Sequence, residues 1–161
     1  MAALAAVEAV NVLPDAASSI FAEYAPPLHR CELVRTLDGV EYINDSKATN
    51  LHALEAALRS QSRPTVLIAG GKEKGLDYTP LLAILEGRVN QIVVFGEIAG
   101  SLIDTFSQAV STVGAESLED AVRCAREASG PGGTVLFSPG TSSFDMSVSY
   151  THLTLPTNCV V

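Results

Sequence analysis

Asn44-Asp45-Ser46-Lys47-Ala48-Thr49-Asn50 is the stretch where one hydrophobic period gives way to another. Just before it, Val40 and Tyr42, and less cleanly Glu41 and Ile43, have the β-branched and aromatic composition of a short strand. Just after it, Leu51, Leu54, Ala57 and Leu58 recur at helical spacing, with Glu55 and Arg59 four apart on the outer face. Asp45, Ser46, Thr49 and Asn50 all carry side chains that can cap a helix, so the first free N–H groups of that helix are expected within this stretch. A helix N-terminus with Lys47 beside it attracts anions. An ordinary capped strand–helix junction accounts for the same letters, and spacing does not separate the two.

Upstream, Cys31-Glu32-Leu33-Val34-Arg35 and Val40-Glu41-Tyr42-Ile43 flank Leu37-Asp38-Gly39, and Asp-Gly between two β-favouring runs predicts a hairpin. Further back, Met1 to Val12 and a stretch from Pro14-Asp15 through Ile20, Phe21 and Tyr24 read as helices, and Pro26-Pro27 makes a stiff connector. A domain boundary is expected there, since a helix pair of that size holds no core of its own. Downstream, the expected elements are a buried strand Thr65–Ala69 ending in Gly70-Gly71, a helix Pro80–Leu85, and a buried strand Gln91–Phe95 ending in Gly96. A helix Ala99–Phe106 follows, then a helix Ser117–Ala128 opened by Ser117 with Asp120 three residues on, then a strand Thr134–Phe137. Short apolar strands alternating with amphipathic helices predict an α/β fold. The expectation is a Rossmann-like, mostly parallel sheet with helices on both faces and an N-terminal antiparallel hairpin.

Three of the strand ends carry polar or glycine-rich loops: Asn44–Asn50, Gly70-Gly71-Lys72-Glu73-Lys74-Gly75, and Ser138-Pro139-Gly140-Thr141-Ser142-Ser143. In an open α/β sheet, ligands bind at the carboxyl ends of strands. The two glycines are expected to let backbone approach a ligand, with the lysines supplying charge. Each loop alone is as well explained as a solvated turn. Together on one sheet edge they point to a pocket for a small dianion such as a dicarboxylate.

Composition narrows the function further. The 161 residues carry a net charge of −8, with no stripe of lysine and arginine, which argues against a nucleic-acid partner. No apolar run reaches membrane-spanning length, and the apolar first residues lack a basic flank and a cleavage site. Cys31, Cys124 and Cys159 are far apart and without C-x-x-C spacing, which predicts reduced thiols in a cytoplasmic protein. His29, His52 and His152 are too scattered for a metal site. There is no G-x-x-x-x-G-K-[ST] loop, no G-x-G-x-x-G and no G-x-S-x-G.

Four runs taken together resemble the C-terminal domain of the Mur ligase family: Leu28-His29-Arg30, Ile43 through Asn50, Gly70 through Gly75, and Leu136-Phe137-Ser138-Pro139 through Ser143-Phe144-Asp145. The likeness covers Pro27 to Met146 in order. Asp45-Ser46-Lys47 is most similar to the branch that adds D-glutamate to UDP-N-acetylmuramoyl-L-alanine in peptidoglycan precursor synthesis, a step of cell-wall biogenesis, cell shape and division. The resemblance implies an ATP- and Mg2+-dependent amide-forming ligase. ATP converts a substrate carboxylate to an acyl phosphate, and the amino group of D-glutamate attacks it. It implies nucleotide contacts for Arg30, Asp45 (on the ribose) and Lys47, the last also a catalytic residue at the domain interface. It implies D-glutamate contacts for Thr49, Lys74, Ser143 and Phe144. A monomer is expected, with no protein metal site in this stretch.

The resemblance also sets the expected boundaries. Residues 1–26 resemble terminal helices of the family's central ATPase domain, and 27–147 resemble its C-terminal domain without a last helix. The run Val148-Ser149-Tyr150-Thr151-His152-Leu153-Thr154-Leu155-Pro156-Thr157 departs from the family. It resembles the in-frame translation of a transposase-type sequencing adapter, so 148–161 is expected to be a non-native tail. With the central domain's phosphate loop and the UDP-sugar domain absent, the chain alone is expected to be inactive. The alternatives are a piece of a related ligase such as a folylpolyglutamate synthase, or a stand-alone module binding an acidic amino acid.

Overall fold

The computed structural model describes residues 27–142. The helices expected in 1–26, the tail 148–161 and the site residues Ser143 and Phe144 lie outside them. The hairpin forms as expected, from β1 (Glu32–Leu37) and β2 (Val40–Asn44). Its two turn residues, Asp38 and Gly39, both take left-handed backbone with φ of 53° and 79°, the pair of conformations that Asp-Gly supplies to a tight hairpin. After β2 come α1 (Leu51–Ser60), β3 (Thr65–Gly71), a 3-10 turn (Thr79–Leu81), α2 (Leu82–Leu85), β4 (Val89–Gly96), α3 (Ala99–Phe106), β5 (Thr112–Gly114), α4 (Leu118–Ala128) and β6 (Thr134–Phe137).

The caps decide where the helices begin. Of the four candidates before α1, Asn50 is the N-cap, its side chain accepting from the Ala53 N–H at 2.9 Å. Lys47 therefore sits in the loop and not in the helix's first turn. Glu55 and Arg59 pair across the exposed face at 2.9 Å while Leu54, Ala57 and Leu58 are buried. Ser117 caps α4 by accepting from the Asp120 N–H, and the Asp120 carboxylate accepts from the Glu116 N–H, a capping box shifted by one residue. The helix expected over Pro80–Leu85 is instead one 3-10 turn followed by four α-helical residues. Asp77 fixes its start by accepting from the Thr79 N–H, and Gly87, with φ of 74°, follows it closely, leaving no room for a longer helix. Strand β5 had no sequence signal: it is three residues long, and none of them is buried.

The strand order is β1-β2-β6-β3-β4-β5, parallel throughout except for the hairpin. Alternation along the strands feeds two cores. Leu67, Ala69, Ile92, Val94 and Leu136 face a cluster that includes Leu54, Leu58, Leu85, Leu102 and Phe106 from the helices α1 to α3. Val66, Ile68, Val93, Phe95, Val135 and Phe137 face Ala121, Val122 and Ala125 of α4. Each fully buried large side chain stabilises the fold by roughly 1.5–3 kcal/mol, so it is the two-faced burial that fixes the register. The chain leaves β2, builds β3 to β5, and returns to place β6 between β2 and β3. Three adjacent parallel strands thus end at one edge.

Gly70 and Gly71 have φ of 137° and 140°. A Cβ on Gly70 would stand 2.0 Å from the Phe95 carbonyl oxygen, and one on Gly71 would stand 2.5 Å from that of Ser142. These glycines admit neighbouring backbone, β4 in one case and the loop after β6 in the other, where the sequence suggested a ligand. Gly70→Ala is expected to cost on the order of 3 kcal/mol or more, combining backbone strain with overpacking. Gly75, left-handed but with open space around its Cβ position, should lose only about 1 kcal/mol as alanine. Urea unfolding of the two variants checks this, and equal losses would contradict it.

Candidate functional site

The β2 loop (45–50), the β3 loop (72–78) and the β6 loop (138–142) leave adjacent strand ends and are tied together by hydrogen bonds. The ladders run on past the strands: the Asp45 N–H donates to the Phe137 carbonyl at 2.8 Å, and the Ser138 N–H to that of Ile68 at 3.1 Å. Beyond them the Gly140 N–H donates to the Ala48 carbonyl at 2.9 Å, joining the β6 loop to the β2 loop. The Gly70 N–H donates to the Pro139 carbonyl at 3.2 Å and the Lys72 N–H to the Ser142 carbonyl at 2.9 Å. The Thr141 hydroxyl returns a bond to the Lys72 carbonyl at 2.7 Å, completing the tie to the β3 loop. The β6 loop is the common partner.

Asp45 lies at the centre of the polar part. It is 6% exposed. One carboxylate oxygen, Oδ2, accepts from the Ser138 hydroxyl at 2.8 Å, and Oδ1 accepts from the Cys31 N–H at 3.1 Å. Burial pushes its pKa up, and the bonds from Ser138 and Cys31 with the nearby Arg30 charge offset only part of that rise. The Cys31 thiol, although its residue is exposed, is pushed up too, first by partial desolvation and then by the Asp45 charge, which is the opposite of an activated nucleophile.

Arg30 is presented by a strained turn. His29 and Cys31, on either side of it, are left-handed at φ of 65° and 45°, unusual for residues other than glycine. Four bonds hold them there. The His29 N–H donates to Glu32 Oε2, the Arg30 N–H to the Pro27 carbonyl, the Cys31 N–H to Asp45, and the Lys47 N–H to the His29 carbonyl. Asn44 locks the side: its Oδ1 accepts from the Ser46 N–H, which leaves its amide to donate to His29 Nδ1 at 3.0 Å. Strain of this kind persists only where surrounding contacts impose it, and it gathers at working sites.

Of the residues expected in the site, Arg30, Asp45 and Lys47 come together: Arg30 acts electrostatically on Asp45, and Lys47 joins the same turn through its backbone. Lys47 and Lys74 are exposed and Thr49 is half-buried. Lys74 is in the β3 loop, which Glu73 shapes by accepting from the N–H groups of Lys74 and Gly75. The sequence places Asn44, Ser138 and Thr141 in the polar loops and His29 beside Arg30, without indicating the hydrogen bonds by which they build the site. Ser138 was visible only as one of several hydroxyls, since its partner is 93 positions away. A depression of about 320 Å3, lined by Arg63, Arg88, Asn90 and their neighbours, lies at the opposite edge, by the N-terminal ends of β3 and β4. Among the described residues no group of three or more His, Cys, Asp or Glu side chains is placed to hold a metal ion.

A mostly parallel sheet with interlocked polar loops along its carboxyl edge is an α/β domain whose loops lie where open sheets of this kind take their ligands. Residues 29–140 match the family described as Mur ligase, glutamate ligase domain, and the chain belongs to that family. It is 45% identical over 146 residues to the UDP-N-acetylmuramoylalanine–D-glutamate ligase of Chlorobium limicola, an alignment covering 91% of this chain and 31% of the relative. The ligase of the same name from Pelodictyon phaeoclathratiforme is 42% identical, with 91% and 32% covered. The chain thus spans about a third of the length of the curated relatives it matches. Among solved structures, MurF ligase from Thermotoga maritima in complex with ADP superposes with a TM-score of 0.57 at 16% identity, covering 94% of this chain and 35% of that one. The folylpolyglutamate synthase of the same organism gives 0.55 at 22% identity, covering 88% and 35%. These two likenesses show the fold.

The raised Asp45 pKa has a sign that can be measured. Folding favours the neutral carboxyl, so the stability it confers is complete below the unfolded value near 3.8 and is lost as pH rises through the higher native value. Asp45→Asn stays neutral throughout. The stability of the wild type relative to Asp45→Asn should therefore fall as pH rises from about 3 to about 7, measured by urea unfolding. A difference that stays flat, or moves in favour of the wild type, would contradict the assignment.

Proposed function

We propose that this chain is the C-terminal, amino-acid-binding domain of an ATP-dependent ligase that joins D-glutamate to UDP-N-acetylmuramoyl-L-alanine in the cytoplasm, acting as a monomer. The observation that carries the reading is the knitting of three polar loops onto one sheet edge, in a chain whose relatives bear that ligase's name over 91% of its length. In this reading Arg30 and Asp45 hold the nucleotide, and Thr49, Lys74, Ser143 and Phe144 hold D-glutamate. Lys47 lies between the two groups. No observation favours the folylpolyglutamate synthase reading, which rests on shared fold alone.

The chemistry asked of this domain is positional. The free amine of D-glutamate attacks the carbonyl carbon of an acyl phosphate; the C–N bond forms, the C–O bond to phosphate breaks, and the proton shed by nitrogen leaves with the phosphate. An amine held at attack distance gains up to about 7–11 kcal/mol from proximity in well-aligned cases. A lysine near the reacting oxygens offsets the negative charge that develops on them. No G-x-x-x-x-G-K-[ST] run occurs in the sequence, and the described side chains do not assemble a metal site. Carboxylate activation and Mg2+ therefore belong, in this proposal, to the remaining two thirds of the enzyme.

The expected results follow from that division. The 161-residue chain, given ATP, D-glutamate and the UDP-sugar substrate, should release ADP at background rate in a coupled assay, while the complete ligase carrying this domain turns over. In that ligase Lys47→Ala should lower kcat by about 10²–10³. Lys74→Ala should chiefly raise the KM for D-glutamate, by about tenfold to a hundredfold. Turnover with L-lysine in place of D-glutamate, or clear turnover by the chain alone, would sink the reading.

A further inference from the structure

We infer that Ser138 is a positioning residue for the nucleotide: its buried hydroxyl fixes the plane of the Asp45 carboxylate from the neighbouring strand. The inference rests on the proposed role of Asp45 as a nucleotide contact and adds to it the group that makes the contact selective. Ser138 is fully buried at the end of β6, and its backbone is pinned by the bond from its N–H to the Ile68 carbonyl. Its hydroxyl donates to Asp45 Oδ2 at 2.8 Å. The other oxygen, Oδ1, is held by the Cys31 N–H, and the Asp45 backbone by the Phe137 carbonyl. A carboxylate has about four lone-pair positions. The Ser138 hydroxyl and the Cys31 N–H take one position on each oxygen, the Cys31 thiol is a further donor to the same carboxylate, and together they hold its plane while leaving lone-pair capacity for a sugar hydroxyl. That is the arrangement a carboxylate needs to grip a vicinal diol, the chemistry by which acidic side chains recognise ribose.

Other features of the structure single out Ser138. Ser46, next to Asp45, is equally buried, yet its hydroxyl has no hydrogen-bond partner, so proximity to the carboxylate is not enough. A serine hydroxyl can also rotate to accept when the carboxyl is protonated, so the tether survives in both states. Removing it takes away one oxygen atom and leaves the backbone bonds of the β6 loop in place. The far end of that loop, Thr141 and Ser142, holds the β3 loop through bonds that do not pass through the Ser138 side chain. Nucleotide and amino-acid affinity should therefore separate.

In the complete ligase carrying this domain, Ser138→Ala should raise the KM for ATP about tenfold, the loss expected for one hydrogen bond to a charged group. It should leave the KM for D-glutamate within about twofold and reduce the preference for ATP over 2′-deoxyATP. Asp45→Asn should act in the same direction and more strongly. In the 161-residue chain, the Asp45 carboxyl followed by carbon-13 NMR should titrate at higher pH in Ser138→Ala, because a donor to the charged form is gone. If Asp45→Asn leaves the KM for ATP unchanged, the nucleotide role of Asp45 fails and takes this inference with it. If Asp45→Asn raises that KM and Ser138→Ala does not, Ser138 alone is refuted. A joint rise in both KM values, with the ATP to 2′-deoxyATP ratio unmoved, would show a merely structural serine and would also overturn the inference.

Discussion

Strand β6 has to satisfy backbone groups on two neighbours at once, and the loop that follows it inherits the same obligation. Inserted between β2 and β3, it continues both ladders past their ends, taking the Asp45 N–H on one side and meeting the Ile68 carbonyl on the other. The loop then bonds the Ala48 carbonyl of one neighbour and the Gly70 and Lys72 amides of the other. Buried backbone donors and acceptors left unpaired would each cost about 1–3 kcal/mol. The three loops are therefore held in place by the accounting of the backbone, before any ligand contributes.

That constraint explains how the candidate site can draw on distant parts of the chain without flexible linkers between its parts. Arg30 and Asp45 come from the hairpin side, Lys74 from the β3 loop, and the Ser138 hydroxyl reaches across 93 positions to the carboxylate. The turn around Arg30 carries two left-handed non-glycine residues, and they are tolerated because Asp45, Glu32 and the Lys47 amide hold them. The glycines at 70 and 71 serve the same end. They let β4 and the β6 loop come close enough to bond, and the exposed lysines extend from a backbone already fixed.

Local rules were legible in the letters. Asp38-Gly39 specified its hairpin, Ser117 with Asp120 marked the start of α4, and the short apolar runs at Thr65–Ala69 and Gln91–Phe95 marked strands buried on both faces, although uniformly apolar runs do not tell which side chain enters which core. The grouping of three polar loops at strand ends was legible too, because parallel strands must end on one edge. What sequence did not show was long-range or degenerate. Four residues could cap α1, and only the fold chose Asn50. The insertion of β6 between β2 and β3 leaves no trace in any window of the chain, so neither does the Ser138–Asp45 bond. At Gly70 and Gly71 a close backbone neighbour and a close ligand ask for the same residue, so the letters do not tell one from the other. Strand β5 has no buried face and so carries no apolar pattern to mark it.

Native-state amide hydrogen exchange tests the central claim most directly. If the β6 loop is the shared partner that holds the site together, the amides of Gly70, Lys72 and Gly140 should exchange about as slowly as those of the β3 core, opening only in large-scale unfolding. Exchange of these three amides at the rate of an unprotected loop, while the core of β3 stays protected, would contradict it.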